Sequence, residues 1–320
     1  MPEEPYDTLF TTDFAGWVRA EVARQDELVA LGRTVTTAKG TVEYARTGQG
    51  PVVLAIHGGP GGFDQGLLLF DWAIRAGFSI IAPSRPGYLG TPLSSGKSPA
   101  EQADLYAALL DTLGIGKVAV ICGSAGGASG YEFAIRYPER INALVALDAV
   151  VTQYLMPANA GPVAQALFLS GPGEQLISYF SKHFPKQMLA EFLQQESFLR
   201  PEQIDKQAEI ALKDPRQARL FLRFSRSISE YPRRRAGVEN DLETLAQLTD
   251  LPVDKIRCPV LVIHGTHDSD VLFYHGVYAW ENIPDAEKIW VREGTHLCAW
   301  ISPEANETQA KVLTFLQKHA

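Results

Sequence analysis

The sequence predicts an α/β protein with about eight strands in a mostly parallel sheet, helices on both faces and a helical cap insert. Short continuous apolar runs recur along the chain, and most of them end in glycine, serine, histidine or aspartate. Runs without polar alternation are typical of strands buried on both faces. Helix-like stretches separate these runs, and such alternation indicates parallel strands joined through helices.

The predicted strands form a hairpin and a buried series. The hairpin has strands at Thr34–Thr37 and Thr41–Ala45 with a turn at Lys39-Gly40. The buried strands are Val52–Ile56, Phe78–Ala82, Val118–Ile121, Leu144–Leu147, Val260–Ile263 and Ile289–Val291. The core helices are expected near 66–76, 99–113, 126–137, 273–282 and 303–319. Right-handed crossovers place the strand ends along one edge, where ligands bind in such sheets.

The strand–helix alternation stops between the fourth and fifth buried strands. Residues 152–251 are therefore predicted to form a helical cap, inserted into a core made of 1–151 and 252–320. Its predicted helices are Gly161–Ser170, Pro185–Gln195, Pro201–Lys213 and Pro215–Ser229, with prolines near several helix starts. A separate domain is the alternative, but the later strands complete the earlier pattern. Residues 1–31 are predicted to be an N-terminal extension.

Composition excludes several functional classes. The net charge of −8 argues against a nucleic-acid or anionic-membrane partner. The three cysteines have no metal-site spacing and suit a reducing compartment. The start Met1-Pro2-Glu3-Glu4 is acidic and lacks the charged-then-apolar pattern of a secretion signal, and no apolar run reaches the length of a membrane span. We expect a cytoplasmic protein that binds a small molecule and no metal. Its oligomeric state is left open, with a homodimer as one option.

A candidate nucleophile lies in the turn Cys122-Gly123-Ser124-Ala125-Gly126, after the third buried strand. A sharp strand-to-helix turn exposes its central serine only where the residues two positions away are small, and here they are Cys122 and Gly126. The same turn would point the backbone N–H of Ala125 toward a developing anion. A tight packing junction is the alternative, whereas the missing Lys-Ser/Thr pair excludes a P-loop.

Acyl transfer by a serine needs a base and an acid that orients the base. His296 lies in a small-residue loop after the last predicted strand, which places it at the same sheet edge. Asp268, after the fifth buried strand, is favoured as the acid. Asp148, after the fourth, is the alternative, and Asp270 is expected to lie outside the turn.

The glycine-rich segment His57–Gly61 would supply the second half of an oxyanion hole. Glycines let the backbone approach a ligand closely, so the N–H of Gly59 is predicted to act together with that of Ala125. Substrate contacts are predicted for four side chains in or near these loops, namely His57, Phe63, Tyr88 and Trp300.

The basic run Arg233-Arg234-Arg235 lies close to several acidic residues, among them Glu230 and Glu239. This pattern favours a solvated or ion-paired helix end over an anion-binding role.

Together these segments resemble the α/β-hydrolase superfamily, from about residue 33 to the end. The resemblance is carried by the His57–Gly61 loop, the turn Ser84-Arg85-Pro86-Gly87-Tyr88, and the pair Asp268 and His296. It implies a core of about eight strands, a lid and no cofactor. The His57–Gly61 loop is similar to that of proline iminopeptidases and related esterases. Those peptidases usually carry tryptophan where Ala125 stands here.

The favoured function is hydrolysis of a carboxylic ester, or a related thioester or amide, through an acyl-enzyme on Ser124. The nucleophile is a serine, which argues against epoxide-hydrolase and dehalogenase chemistry. One alternative is an iminopeptidase-like aminopeptidase, for which Glu191, Glu196 and Glu202 are candidate partners of a substrate amino group. Another is a non-catalytic small-molecule receptor, because a fold does not fix a function.

Overall fold

The computed structural model describes residues 27–155, 184–228 and 231–320. Its central feature is an eight-stranded sheet. The strands are β1 Arg33–Thr37, β2 Gly40–Gly48, β3 Val52–Ile56, β4 Ser79–Pro83, β5 Val118–Gly123, β6 Ile141–Leu147, β7 Val260–Gly265 and β8 Glu287–Val291. They lie in the order β1-β2-β4-β3-β5-β6-β7-β8. The eight predicted strands and the mostly parallel sheet are confirmed.

The direction of strand pairing distinguishes the hairpin from the rest of the sheet. β1 pairs antiparallel with β2, and β2 pairs antiparallel with β4. Every other neighbouring pair is parallel, so that β3, β5, β6, β7 and β8 all end at the same edge. Each loop that carries a candidate catalytic residue leaves the sheet at this edge. The topology therefore brings together residues that are far apart in sequence.

The helices of the core are α1 Phe63–Leu69, α2 Asp71–Arg75, α3 Pro99–Thr112, α4 Gly126–Arg136, α9 Tyr274–Asn282 and α10 Ala305–His319; α5 to α8 lie between β6 and β7. Alternate residues of β3 point to opposite faces, so Val53 and Ala55 join one apolar cluster while Leu54 and Ile56 join the other. Both sheet faces are thus covered, which explains why the buried strands lack polar alternation.

The described part of the stretch between β6 and β7 is helical. Its helices are α5 Pro185–Gln195, α6 Pro201–Lys213, α7 Pro215–Ile228 and α8 Arg235–Ala246. The first three match the predicted helices closely, and prolines occupy their first positions as expected for N-termini. The sequence interpretation did not identify α8. The predicted helix Gly161–Ser170 and most of the predicted N-terminal extension lie outside the described residues.

None of the helices in the described ranges combines the length and the apolar character that crossing a bilayer would need.

Candidate active site

Ser124 lies between β5 and α4 with a backbone φ of 51°. Few non-glycine residues adopt this left-handed region, and such strain concentrates at functional sites. Four backbone hydrogen bonds hold the turn: the Ser124 N–H donates to the carbonyls of Leu147 and Asp148, and its carbonyl accepts from Gly127 and Val150. The end of β6 thereby fixes the position of the serine.

Glycines around this turn provide the space that it requires, because they carry no side chains. A Cβ on Gly58 would lie 2.6 Å from the Ser124 Cβ, and one on Gly126 would lie 2.3 Å from the His57 carbonyl oxygen. A Cβ on Gly130 would lie 2.6 Å from the Cys122 Sγ. Cys122 therefore fits where a smaller residue is usual because Gly130, one helical turn into α4, makes room for its sulfur.

The structure brings His296 against Asp268. The imidazole Nδ1 lies 2.8 Å from Asp268 Oδ2, and both side chains are buried. The other oxygen of Asp268 accepts backbone N–H groups from Asp270 at 2.9 Å and Val271 at 3.0 Å. These bonds fix the carboxylate and with it the imidazole. No hydrogen bond joins Ser124 to His296 within the described residues, and such contacts often tighten only when substrate binds.

Asp148, the alternative acid, has other partners. Its Oδ1 accepts the Gly265 N–H at 2.8 Å, and the Cys298 sulfur lies 3.3 Å from its Oδ2. Burial, together with the nearby Asp268 carboxylate, raises the pKa of Asp148 well above its ordinary value. Burial therefore disfavours the charged form of Asp148. Asp268, and not Asp148, makes the contact with His296.

Asp148, His264 and Asp268 place potential metal-ligating atoms within 4.8 Å of one another. The hydrogen bonds of these residues do not require a cation at this position. The His264 Nε2 lies 2.7 Å from the Val271 carbonyl oxygen, which identifies it as a protonated donor, and Asp268 is held by His296. We interpret the group as a buried hydrogen-bonding cluster that supports the loop after β7.

Asp270, which was expected to lie outside the turn that carries Asp268, is part of this turn and faces His296. Its Oδ2 is 3.3 Å from the Nε2 of His296, and its Oδ1 accepts a hydrogen bond of 2.5 Å from the Tyr154 hydroxyl. Glu196, at the end of α5, accepts the His296 backbone N–H at 3.3 Å through its own carbonyl. Burial raises the pKa of the Glu196 carboxyl to about 8, and the carboxylate of Asp270 adds to this effect.

The backbone N–H groups of Gly59 and Ala125 donate to no protein acceptor among the described residues. Ala125 directly precedes α4, where a helix favours negative charge. Gly58, next to Gly59, packs against the Cβ of Ser124. Both predicted oxyanion-hole segments thus adjoin the serine and keep donors unused.

The four predicted substrate contacts are all buried in the protein. His57 is held at both nitrogens, since its Nε2 accepts the Arg85 N–H at 2.8 Å and its Nδ1 lies 2.6 Å from the Gly58 carbonyl oxygen. Burial, reinforced by Arg85, lowers the pKa of His57 well below its ordinary value. The Trp300 Nε1 donates to the Leu69 carbonyl at 2.7 Å. Tyr88 and Phe63 are equally buried, and for all four the substrate role stays a prediction.

Two buried arginines connect the loops around Ser124 to α8 and to the residue that precedes it. Arg234 donates to the Gly61 carbonyl at 2.7 Å and to Asp64 Oδ2 at 2.7 Å. Arg85 donates to Asp241 Oδ1 at 2.8 Å. Arg234 and Arg235 are both ion-paired at the start of α8, as expected for the basic run, but Arg235 is exposed whereas Arg234 is fully buried. Asp64, the partner of Arg234, is distant in sequence, so no local pattern predicts this ion pair.

Comparisons with known proteins concern the fold and the family of the chain. The model of the Alpha/beta hydrolase family matches residues 52–306. An uncharacterized hydrolase, YcgS, of Bacillus subtilis (strain 168) is 34% identical over 288 residues, covering 89% of this chain and 98% of that protein. A 2-hydroxy-6-oxononadienedioate/2-hydroxy-6-oxononatrienedioate hydrolase of Comamonas testosteroni is 25% identical over 271 residues, covering 81% of this chain and 85% of that protein.

A solved structure shows the same likeness in three dimensions. An alpha/beta hydrolase fold protein from Nakamurella multipartita matches with a TM-score of 0.85 and 36% identity, over 89% of this chain and 99% of that one. The family model covers most of the sequence, and the relatives match it along nearly their full length. The chain therefore belongs to the alpha/beta hydrolase family.

Proposed function

We propose that this chain is a serine hydrolase that cleaves carboxylic esters of small molecules through an acyl-enzyme on Ser124. The observation that carries the proposal is the left-handed serine turn, at the same sheet edge as the Asp268–His296 contact. Serine, acid and histidine also follow one another in the order of the family's catalytic residues. Esters, thioesters and amides share the required carbonyl, and the alkoxide of an ester needs less activation to leave than the amine of an amide.

In the proposed reaction, Ser124 Oγ bonds to the ester carbonyl carbon while His296 Nε2 takes the hydroxyl proton. Asp268 orients the ring and stabilises its charged form. The N–H groups of Gly59 and Ala125 receive the oxyanion, and loss of one such donor typically slows turnover by about 10²–10³-fold. The bond to the leaving alkoxide then breaks, and His296 returns the proton to it. Water releases the acid by the same steps.

The test is turnover of short p-nitrophenyl esters, with covalent labelling by a fluorophosphonate. We expect Ser124→Ala to lose the label and to slow turnover by roughly 10⁴-fold or more. Ser129→Ala is the matched control, since its hydroxyl bonds to Tyr106 and to the Gly126 carbonyl and takes no part in the reaction. Wild-type turnover by Ser124→Ala would exclude the proposal. Tight ligand binding without labelling or turnover would favour the receptor alternative.

An aminopeptidase is the second candidate, because one of the predicted glutamates, Glu196, lies near the proposed base. Of the three predicted glutamates, Glu191 and Glu202 are exposed, whereas Glu196 interacts with Asp270 and His296. Because burial raises the pKa of Glu196 to about 8, its carboxyl is a weaker partner for an ammonium group than an ordinary carboxylate. The ester proposal therefore stands first.

Substrate choice separates these candidates. Proline-β-naphthylamide should be cleaved more slowly than simple esters, and Glu196→Gln should leave ester turnover within a few-fold of wild type. Faster cleavage of the naphthylamide, lost in Glu196→Gln, would favour the aminopeptidase. The panel should include 2-hydroxy-6-oxononadienedioate, which the name of the Comamonas relative gives as its substrate.

A further inference from the structure

Both ring nitrogens of His296 face carboxylates. Nδ1 lies 2.8 Å from Asp268 Oδ2, and Nε2 lies 3.3 Å from Asp270 Oδ2. A catalytic triad requires only the first contact, because Nε2 must be available to take the proton of the serine. The second carboxylate therefore occupies the reactive side of the ring and needs an explanation.

Tyr154 fixes the orientation of this second carboxylate. Its hydroxyl donates to Asp270 Oδ1 at 2.5 Å, which leaves Oδ2 to face the imidazole. Burial, with the adjacent Asp270 carboxylate, raises the pKa of Tyr154 far above its ordinary value, so the phenol remains a donor at any working pH. The Tyr154 N–H donates to the Leu245 carbonyl of α8 at 2.9 Å, which anchors its backbone.

We propose that Asp270, held by Tyr154, is a positioning residue. Before substrate binds, Asp270 holds the His296 ring through a contact with Nε2 and favours the charged form of that ring. The inference rests on the proposed function, in which His296 must be neutral to act as a base. Substrate binding then has to release Nε2 from Asp270 and turn it toward Ser124. The same contact sets the pH at which the base becomes available.

Other ionisable groups also act on this ring. Asp268 and Asp270 lie on the loop after β7, Glu196 follows α5, Asp148 follows β6, and His264 lies near the end of β7. Burial opposes the charged ring, but the carboxylates of Asp268 and Asp270 outweigh it and hold the pKa of His296 well above its ordinary value. Glu196 acts in the same direction, and the neutral His264 adds no positive charge at neutral pH.

The test follows the His296 ring by nuclear magnetic resonance with isotope-labelled histidine, assigned from the spectrum of His296→Gln. Asp270→Asn should lower the ring's titration midpoint by about 1 pH unit or more, because it removes a charge within about 4–6 Å. Tyr154→Phe keeps every charge and should shift the midpoint by less. Asp254→Asn, which removes an exposed carboxylate in the turn before β7, should leave the midpoint unchanged.

Turnover gives a second readout. In Asp270→Asn the acid limb of the pH profile of kcat/KM should move to lower pH together with the titration midpoint. If the midpoint falls by about 1 pH unit, kcat/KM at pH values below the limb should rise about tenfold. An unchanged or raised midpoint in a folded Asp270→Asn would overturn the inference, as would an unaltered midpoint in Tyr154→Phe. The resonance measurement needs no turnover. If Ser124 is not the nucleophile, the midpoint still moves while the rates do not follow it.

Discussion

The buried pair Arg85 and Asp241 provides a quantitative test of how the core holds α8. The two side chains are 1% and 7% exposed. Arg85 donates two hydrogen bonds, of 2.8 Å and 2.5 Å, to the two carboxylate oxygens, and the Tyr88 hydroxyl donates a third of 2.5 Å. The pair joins the turn after β4 to α8, close to the backbone of Gly59, since a Cβ there would lie 3.0 Å from the Tyr88 hydroxyl oxygen.

Removal of one partner should cost far more than removal of both. Arg85→Met would leave Asp241 buried with Tyr88 alone, and a lone charge of this kind typically costs about 3–5 kcal/mol. We therefore expect the melting temperature to fall by roughly 6–20 °C, at about 2–4 °C per kcal/mol. The double variant Arg85→Met/Asp241→Leu should recover most of this loss, because an apolar pair of similar volume needs no charge compensation. Differential scanning calorimetry and urea unfolding would measure both effects.

The matched control is the pair Arg235 and Glu239 on the same helix, whose side chains are 65% and 57% exposed. Arg235→Met should leave the melting temperature unchanged within error, since solvent screens such pairs. The reasoning fails if Arg85→Met is as harmless as Arg235→Met. It also fails if the double variant is no more stable than Arg85→Met, because burial of an uncompensated charge would then not be the cause.

Three further predictions concern the site. Gly58→Ala should abolish ester turnover, because its Cβ would lie 2.6 Å from that of Ser124; Gly116→Ala, with open space around it, should not. Asp268→Asn should slow turnover by about 10⁴-fold, as loss of the orienting acid does elsewhere, and Asp148→Asn by less than about tenfold; equal losses in the two variants would contradict the assignment of the acid. Burial raises the pKa of the Cys122 thiol to about 12, so Cys122→Ala should keep its activity, and iodoacetamide at mildly alkaline pH should leave the wild-type activity intact.

Most of the fold was predictable because it depends on local patterns. Continuous apolar runs identified the strands, and the prolines at Pro185, Pro201 and Pro215 identified three helix starts. Helix α8 was missed for a physical reason. Its residues Gly237, Asn240 and Asp241 are buried against the core, so the helix has no apolar stripe of the usual kind.

The site was predictable only where a residue's position along the chain fixes its place in space. The ends of parallel strands meet at one edge, which was enough to predict that Ser124, Asp268 and His296 lie at the same edge of the sheet. The orientation of Asp270 depends on a hydrogen bond from Tyr154, which is 116 positions away in sequence. An aspartate in a loop with such a partner has no local pattern that distinguishes it from a solvated one.

The helical region from α5 to α8 contacts the segments of the proposed base and acid and the glycine-rich loop. Glu196 accepts the backbone N–H of His296, and the Phe198 N–H donates to the His267 carbonyl beside Asp268. Arg234 holds the carbonyl of Gly61 in the glycine-rich loop. These contacts act on backbone atoms that set the positions of the proposed base, acid and oxyanion donors. We therefore expect a shift of this helical region to displace the proposed base, acid and oxyanion donors.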